Sequence, residues 1–207
     1  MNEKPILFNS EMVNAILSGR KTMTRRIMKV QPAECNHTHW PEYPNPEWKL
    51  YDRGWNCAVC GNGVSLTERD VTGIICPLGK PGDQLWVREA FAAGLCTEST
   101  LAYRATHKPE DLEEGWGETI KWTPSIHMPR WASRINLLIT GVRVERLNTI
   151  STGDAMAEGY PVEREATGGS LDAWLWFREL WDGIYPDNTF EVNPWCWVIE
   201  FERMEAK

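Results

Sequence analysis

The sequence predicts an α+β fold, a small mixed β-barrel of short strands with two or three helices between them. Three observations lead to this prediction. Short apolar segments alternate with a period of two, capped helical segments separate them, and one long stretch lacks any apolar period. The 207 residues suit one domain with an insertion or two small domains. We predict a barrel over 1–30 and 76–207, with an insertion over 31–75.

The N-terminal elements are predicted to be a strand and a short helix. Residues 4–8 form the expected strand. Asn9 or Ser10 is a suitable cap for a helix over 11–18, because a side-chain oxygen there accepts hydrogen bonds from free backbone N–H groups. Gly19 is a natural stop for this helix.

The character of the chain changes twice in its middle. Residues 31–75 contain Pro, Trp, Asn, Gly, Cys and His without a sustained apolar period, which predicts an irregular insertion. Turn residues over 76–83 then lead into a strand over 84–91. A shorter strand is expected over 101–105.

Strands and helices alternate in the predicted C-terminal half. The expected elements are a strand over 133–146, a helix over 151–159, a helix over 170–183 and a strand over 195–201. Gly141 is expected to mark a bend or bulge in the first of these strands. Ser151 and Ser170 are expected to cap the two helices.

Composition and charge exclude several classes of protein. A net charge of −7 argues against a protein that coats DNA non-specifically, because such binding depends on neutralising phosphates. Apolar runs are too short to span a bilayer, and the first residues lack the pattern of a secretory signal. These features predict a cytoplasmic protein, in which disulfides are not expected.

A segment over 19–26, which we name the basic segment, carries four cations and two hydroxyls. Neighbouring arginines should lower the pKa of Lys21, and a neutral Lys21 is a suitable base for the Thr24 hydroxyl. In an ideal strand, positions three apart point to opposite faces, so this pair requires a loop, turn or bulge. The alternative is a solvated basic strand edge.

Glu158 is a second candidate catalytic residue. It lies in the last turn of the predicted helix over 151–159, where a carboxylate opposes the helix dipole. This unfavourable placement points to a role in the site. The alternative is a tolerated surface glutamate.

The segment over 127–134 is a candidate ligand-binding segment. Trp131 between Arg130 and Arg134 is suited to stack on a base while the arginines meet phosphate or carbonyl oxygens. In the alternative, Trp131 packs in the core and the arginines pair with acids such as Glu89. His127 is either a further binding residue or a hydrogen-bonded structural histidine.

The insertion contains Cys and His residues that are suited to a zinc knuckle. Cys57 and Cys60 form a Cys-x-x-Cys pair, and Cys35 and His39 are the favoured remaining ligands of a tetrahedral structural site. His37 and Cys76 are further candidates for these positions. Free thiols in a loop are the alternative.

Six segments resemble the ASCH-domain proteins of the PUA-like superfamily, in particular the longer members encoded in phages and prophages. The segments are 19–24, 81–87, 124–134, 155–158, 184–186 and 197–201. The resemblance reaches both ends of the chain and omits 31–75. It implies a PUA-like barrel for the remainder.

Compact ASCH proteins that hydrolyse N(4)-acetylcytidine have a similar basic segment. This resemblance implies removal of an acyl group from a modified nucleoside, with Lys21, Thr24 and Glu158 as the catalytic set and Arg26 binding the oxyanion or the ligand. Unlike the compact proteins, this chain has Arg25 in place of an aliphatic residue. It also has Ile27 in place of an aspartate. The alternatives are an RNA-binding module without catalysis and an ASCH-type ribonuclease.

The zinc knuckle leads to a prediction about metal content. Untagged protein is expected to carry about one zinc ion per chain, since a closed Cys/His site holds a single tetrahedral ion. Native mass spectrometry measures this ratio. Cys57→Ser should release the metal and Cys96→Ser should retain it. Purified protein without bound metal contradicts the site.

Overall fold

The structure is a computed structural model that describes residues 2–29, 31, 48–51, 54–57, 75–94, 101–108, 120–165 and 168–205. Its strands are β1 (Glu3–Leu7), β2 (Met23–Ile27), β3 (Trp48–Tyr51), β4 (Gly54–Cys57), β5 (Gln84–Arg88), β6 (Phe91–Ala93), β7 (Leu101–Tyr103), β8 (Asn136–Arg146) and β9 (Trp195–Arg203). Its α-helices are α1 (Ser10–Leu17), α2 (Thr152–Ala157), α3 (Val162–Glu165) and α4 (Asp172–Ile184). The predicted α+β class is confirmed.

A five-stranded mixed sheet organises the chain in the order β1-β5-β8-β9-β2. Strands β1 and β5 are parallel, and the other neighbours in the sheet are antiparallel. Two further hairpins pair β3 with β4 and β6 with β7. The hairpin of β3 and β4 lies inside the predicted insertion, which is therefore not irregular throughout.

The predicted closed barrel is not formed by the described strands. Strands β1 and β2 lie at opposite edges of the sheet order and have no backbone pairing with each other. A side chain joins them instead, because Arg26 Nη2 donates to the Leu7 carbonyl at 3.0 Å. Pro5 within β1 has no N–H to contribute to such a pairing.

Strand β9 lies between β8 and β2 in the sheet, and apolar residues occupy both of its faces. Trp195, Trp197, Ile199 and Phe201 pack in one core with α1, while Cys196 packs in a second core with α2 and α4. A β-bulge lies opposite it in β8, where the pairing register shifts between Ile139 and Gly141. The predicted irregularity at Gly141 is thus confirmed.

Helix α1 and the turn after it place the basic segment. Asn9 Oδ1 accepts from Met12 N at 2.8 Å, so Asn9 is the cap. Gly19 adopts a φ of 77°, which turns the chain out of the helix as predicted. The Lys21 N–H then donates to the carbonyl of Ala15 at 3.0 Å.

Helix α2 begins at the predicted cap and ends two residues before Gly159, the predicted stop. Ser151 Oγ accepts from Asp154 N at 3.0 Å, and Glu158 is the C-cap. Residues Lys21 and Glu158 form an isolated antiparallel bridge. The end of α2 is therefore held directly against the turn that follows α1.

The predicted cap of α4 is wrong. Leu171 occupies the cap position without a side-chain hydrogen bond, and the helix runs one residue beyond Gly183. Asp172 fixes this end instead, since its carboxylate accepts two hydrogen bonds from Arg164, each at 2.9 Å. Among the described residues, no helix has the length and apolar character needed to cross a membrane.

Gly159 provides a test of how tightly α1 and α2 are packed. Its φ is 106°, and an added Cβ would lie 2.9 Å from the Ala15 Cβ and 3.2 Å from the Lys21 Cβ. Gly159→Ala is therefore expected to lower the free energy of unfolding by about 2 kcal/mol or more, measured by urea unfolding. Gly183→Ala, which enters open space in α4, is the matched control and should cost nothing. Equal stability of the two variants contradicts the packing.

Candidate functional site

Lys21 is buried against the end of α2. Its side chain is 0% exposed, and its Nζ donates to the Glu158 carboxylate Oε2 and to the Glu158 carbonyl, both at 2.7 Å. The amine also lies 5.6 Å from the centroid of the Phe8 ring. Within the described residues, the amine thus has a carboxylate and a carbonyl as hydrogen-bond partners and an aromatic ring nearby.

Burial is the main reason why the pKa of Lys21 is lowered from its ordinary value of 10.5. Arg26 and Arg25 lower the pKa further, as the sequence predicts, while Glu158 raises it by charge and by hydrogen bonding. The guanidinium groups therefore act in the expected direction, but desolvation is the larger cause.

Thr24 lies one residue inside β2 and is 1% exposed. Its Oγ1 accepts a hydrogen bond from Arg26 Nη1 at 2.8 Å. Lys21 lies outside this strand, so the alternation of strand faces does not separate it from Thr24. The hydrogen bonds that Lys21 Nζ makes within the described residues go to Glu158 and not to Thr24.

Phe8 connects the two halves of this site. Its ring lies 5.6 Å from Lys21 Nζ and 5.3 Å from the Arg26 guanidinium carbon. The amine and the guanidinium therefore both lie near one buried aromatic ring, and Arg26 links the Thr24 hydroxyl to them. We name these five side chains, Phe8, Lys21, Thr24, Arg26 and Glu158, the candidate site.

Arg25 lies behind the candidate site and is also buried. Its Nη1 is 3.5 Å from Glu158 Oε1, and its Nη2 is 2.6 Å from Asp154 Oδ2 and 3.3 Å from Glu145 Oε2. Arg143 reaches the same two acids, at 2.6 Å from Glu145 Oε1 and 2.9 Å from Asp154 Oδ2. The Lys21–Glu158 pair is therefore the inner end of a longer chain of alternating charges.

This charge network was not predicted from the sequence. The available signal is in β8, where Arg143 and Glu145 alternate with Val142 and Val144 and so share one face. A strand face with paired opposite charges, next to a buried arginine in β2, is typical of an ion-pair network. Asp154, which completes the network, lies in the first turn of α2.

A groove adjoins the candidate site between the edge strands β1 and β2. Its volume is about 420 Å³, and it is lined by Pro5, Ile6, Leu7, Arg26, Ile27, Met28, Lys29, Ile75, Pro77, Leu78 and Trp197. Most of these side chains are apolar. Arg26 is shared between the groove and the Thr24 hydroxyl, so it lies at the boundary between them.

Among the described residues, the segment over 127–134 makes no direct contact with the candidate site. Trp131 is 70% exposed and does not pack in the core. Arg134 pairs with the buried Glu89 through two hydrogen bonds, at 2.9 and 3.0 Å, and Arg130 pairs with Glu3 at 3.0 Å. The side chain of His127 is exposed.

The predicted zinc ligands fall mainly outside the described residues. Cys35, His39 and Cys60 lie there, and for Cys57 the structure gives only its place at the end of β4. Cys76 is buried in the core, where burial raises the pKa of its thiol. Within the described ranges, no group of three or more His, Cys, Asp and Glu residues is arranged to hold a metal.

Comparisons with known proteins give little beyond this geometry. No family model matches the chain, and no curated protein matches it. A solved structure that it resembles is the ASCH domain from Lactobacillus crispatus, with 13% sequence identity and a TM-score of 0.42 over 98% of this chain and 79% of that one.

Lys21→Met is expected to change the dependence of stability on pH. Because the pKa of Lys21 is lowered on folding, only the unfolded chain binds this proton between that value and 10.5. The free energy of unfolding of the wild type, relative to the variant, should therefore rise with pH across this interval and stay flat below it. Urea unfolding from neutral to alkaline pH measures the difference.

This prediction about Lys21 has a control variant and an outcome that would contradict it. Lys29→Met, which removes an exposed lysine beside the groove, controls for the loss of a lysine side chain. A wild-type advantage over Lys21→Met that falls as the pH rises contradicts the lowered pKa.

Proposed function

We propose that this chain is an ASCH-type hydrolase of the PUA-like superfamily that removes an acyl group from a modified nucleoside such as N(4)-acetylcytidine. Thr24 is the nucleophile and Lys21 is its base. The observation that supports this most directly is a buried lysine of lowered pKa on Glu158, three residues before a buried threonine whose hydroxyl accepts a hydrogen bond from Arg26. The motifs over 19–24 and 155–158 favour the same chemistry.

A lysine serves as a base only when it is neutral. Burial shifts the balance toward the neutral amine, and Glu158 Oε2 is placed to stabilise the ammonium that forms when the amine takes a proton. Glu158 therefore stabilises the protonated form of Lys21 during the reaction. Desolvation favours the neutral amine that acts as the base.

The proposed reaction has two steps, acylation of Thr24 and hydrolysis of the acyl-threonine ester. Thr24 Oγ gives its proton to Lys21 Nζ and bonds to the acyl carbon, and the tetrahedral intermediate then breaks its C–N bond. The leaving amine takes the proton back from Lys21. Water, deprotonated by Lys21, attacks the acyl-threonine ester and releases the carboxylic acid, while the proton returns to Thr24.

Arg26 has two functions in this scheme. Its Nη1 already donates to Thr24 Oγ1 at 2.8 Å, which stabilises negative charge as the hydroxyl loses its proton. It also lines the groove, so a substrate that enters from the groove reaches Arg26 before Thr24. Since Thr24 is 1% exposed, the Arg26 side chain has to move for the acyl carbon to reach it.

An RNA-binding module without catalysis is the second candidate function. The exposed Trp131 favours it, together with Trp86, whose ring lies 5.5 Å from the Arg88 guanidinium carbon and 5.8 Å from that of Arg130. The exposed Trp131 ring and the guanidinium planes near the half-buried Trp86 are suited to stacking on unpaired bases. A structural zinc ion in the insertion is compatible with either function.

Hydrolysis of N(4)-acetylcytidine by the purified protein tests the proposal. Lys21→Ala and Thr24→Ala are each expected to lower kcat/KM by about 100-fold or more, because each removes a group of the nucleophile–base pair. Thr24→Ser should retain part of the activity. Thr22→Ala removes an exposed hydroxyl two positions away and should act as wild type.

Three outcomes would redirect the assignment. Turnover that survives Thr24→Ala removes Thr24 as the nucleophile. Absence of turnover, with RNA binding that Trp131→Ala weakens, favours the binding module. RNA cleavage in chelator that Lys21→Ala abolishes favours a ribonuclease.

A further inference from the structure

Arg25 shares the carboxylate that binds Lys21. Glu158 directs Oε2 at Lys21 Nζ, at 2.7 Å, and Oε1 at Arg25 Nη1, at 3.5 Å. Both cationic side chains are 0% exposed and Glu158 is 4% exposed. A single buried carboxylate therefore lies between two buried cations.

This arrangement matters because a buried carboxylate is stable only with a partner. If Lys21 were the sole partner of Glu158, loss of its proton would leave a lone charge in apolar surroundings, and the pair would resist that change. A guanidinium stays charged at any working pH. With Arg25 present, Glu158 keeps a cationic partner when Lys21 becomes neutral.

We propose that Arg25 is a positioning residue that acts through Glu158 to leave the Lys21 amine available as a base. This inference rests on the proposed hydrolase function. Arg25 also disfavours the ammonium directly, since two like charges then face one carboxylate. The role is distinct from that of Arg26, which bonds the Thr24 hydroxyl on the groove side.

Two acids hold Arg25 in place for this role. Asp154 Oδ2 at 2.6 Å and Glu145 Oε2 at 3.3 Å both bind its Nη2, which leaves Nη1 directed at Glu158. The guanidinium carbon also lies 5.9 Å from the Phe177 ring. Asp154 belongs to the first turn of α2 and Glu158 to its end, so Arg25 is held along the length of that helix.

Within the part of the chain that the structure describes, the charged groups with the largest effect on the Lys21 amine are Glu158 from the end of α2 and Arg25 and Arg26 from β2. Cys196 of β9 faces Arg25 and Glu158, but burial raises the pKa of its thiol to about 12, so it stays neutral across the working range. A change in the titration of Lys21 after substitution of Arg25 therefore has few other sources.

Direct titration of Lys21 tests the inference without relying on activity. In protein labelled with ¹³C-lysine, the Lys21 signal is assigned by its loss in Lys21→Arg and followed by NMR as the pH changes. Arg25→Met is expected to raise the midpoint by about 1 pH unit or more. The acidic limb of kcat/KM for N(4)-acetylcytidine should move by the same amount.

Further variants guard against misfolding. Arg25→Met/Asp154→Asn removes the two charges of one ion pair together and should shift the midpoint in the same direction. Arg25→Lys keeps the charge but not the planar fork, so a smaller shift is expected. Arg164→Met is the matched control, since it breaks an arginine–aspartate pair with Asp172 far along the chain, and should leave Lys21 unchanged.

The outcomes separate the inference from the function on which it rests. A Lys21 midpoint that is unchanged in both Arg25→Met and the double variant overturns the role of Arg25, even if hydrolysis occurs. A raised midpoint in protein that turns over no acylated nucleoside supports the electrostatic role and counts against the hydrolase.

Discussion

The contact between Lys21 and Glu158 is the interaction on which the rest of the site depends. It joins the turn after α1 to the end of α2, and it is supported by backbone hydrogen bonds from Lys21 to Ala15 and from Thr22 to Ala157. Removing one partner of a buried ion pair costs about 3–5 kcal/mol, because the other charge is left without compensation. The same contact that positions a candidate base therefore also holds two helices together.

Local features of the fold were predictable because they depend on residues close together in sequence. The cap of α2 at Ser151, the stop at Gly19 and the bulge at Gly141 each follow from one residue type in one backbone conformation. The predicted cap of α4 was wrong because contacts between residues farther apart decide where that helix begins. Arg164 and Tyr160 bind Asp172, and these tertiary contacts set where that helix begins.

Neither the closure of the sheet nor the charge network could be predicted from local sequence patterns. Whether β1 and β2 pair depends on how far a five-stranded sheet curves, and here the two edges are joined through the Arg26 side chain. The sequence identified Lys21, Thr24 and Glu158 as candidates, but it did not indicate that Arg25, Asp154 and Arg143 extend the network. Such partners lie up to 133 residues apart in the chain.

The distribution of charge in the site favours a neutral reacting group over a polyanion. The basic segment suggests a strong positive field, but Glu158, Asp154 and Glu145 compensate Lys21 and Arg25. Arg26 differs, because its partners within the described residues are a hydroxyl and two carbonyls. The Arg26 guanidinium, which lies beside a mostly apolar groove, suits a carbonyl that gains charge during reaction. An amide on a nucleobase meets this description better than a nucleic-acid backbone does.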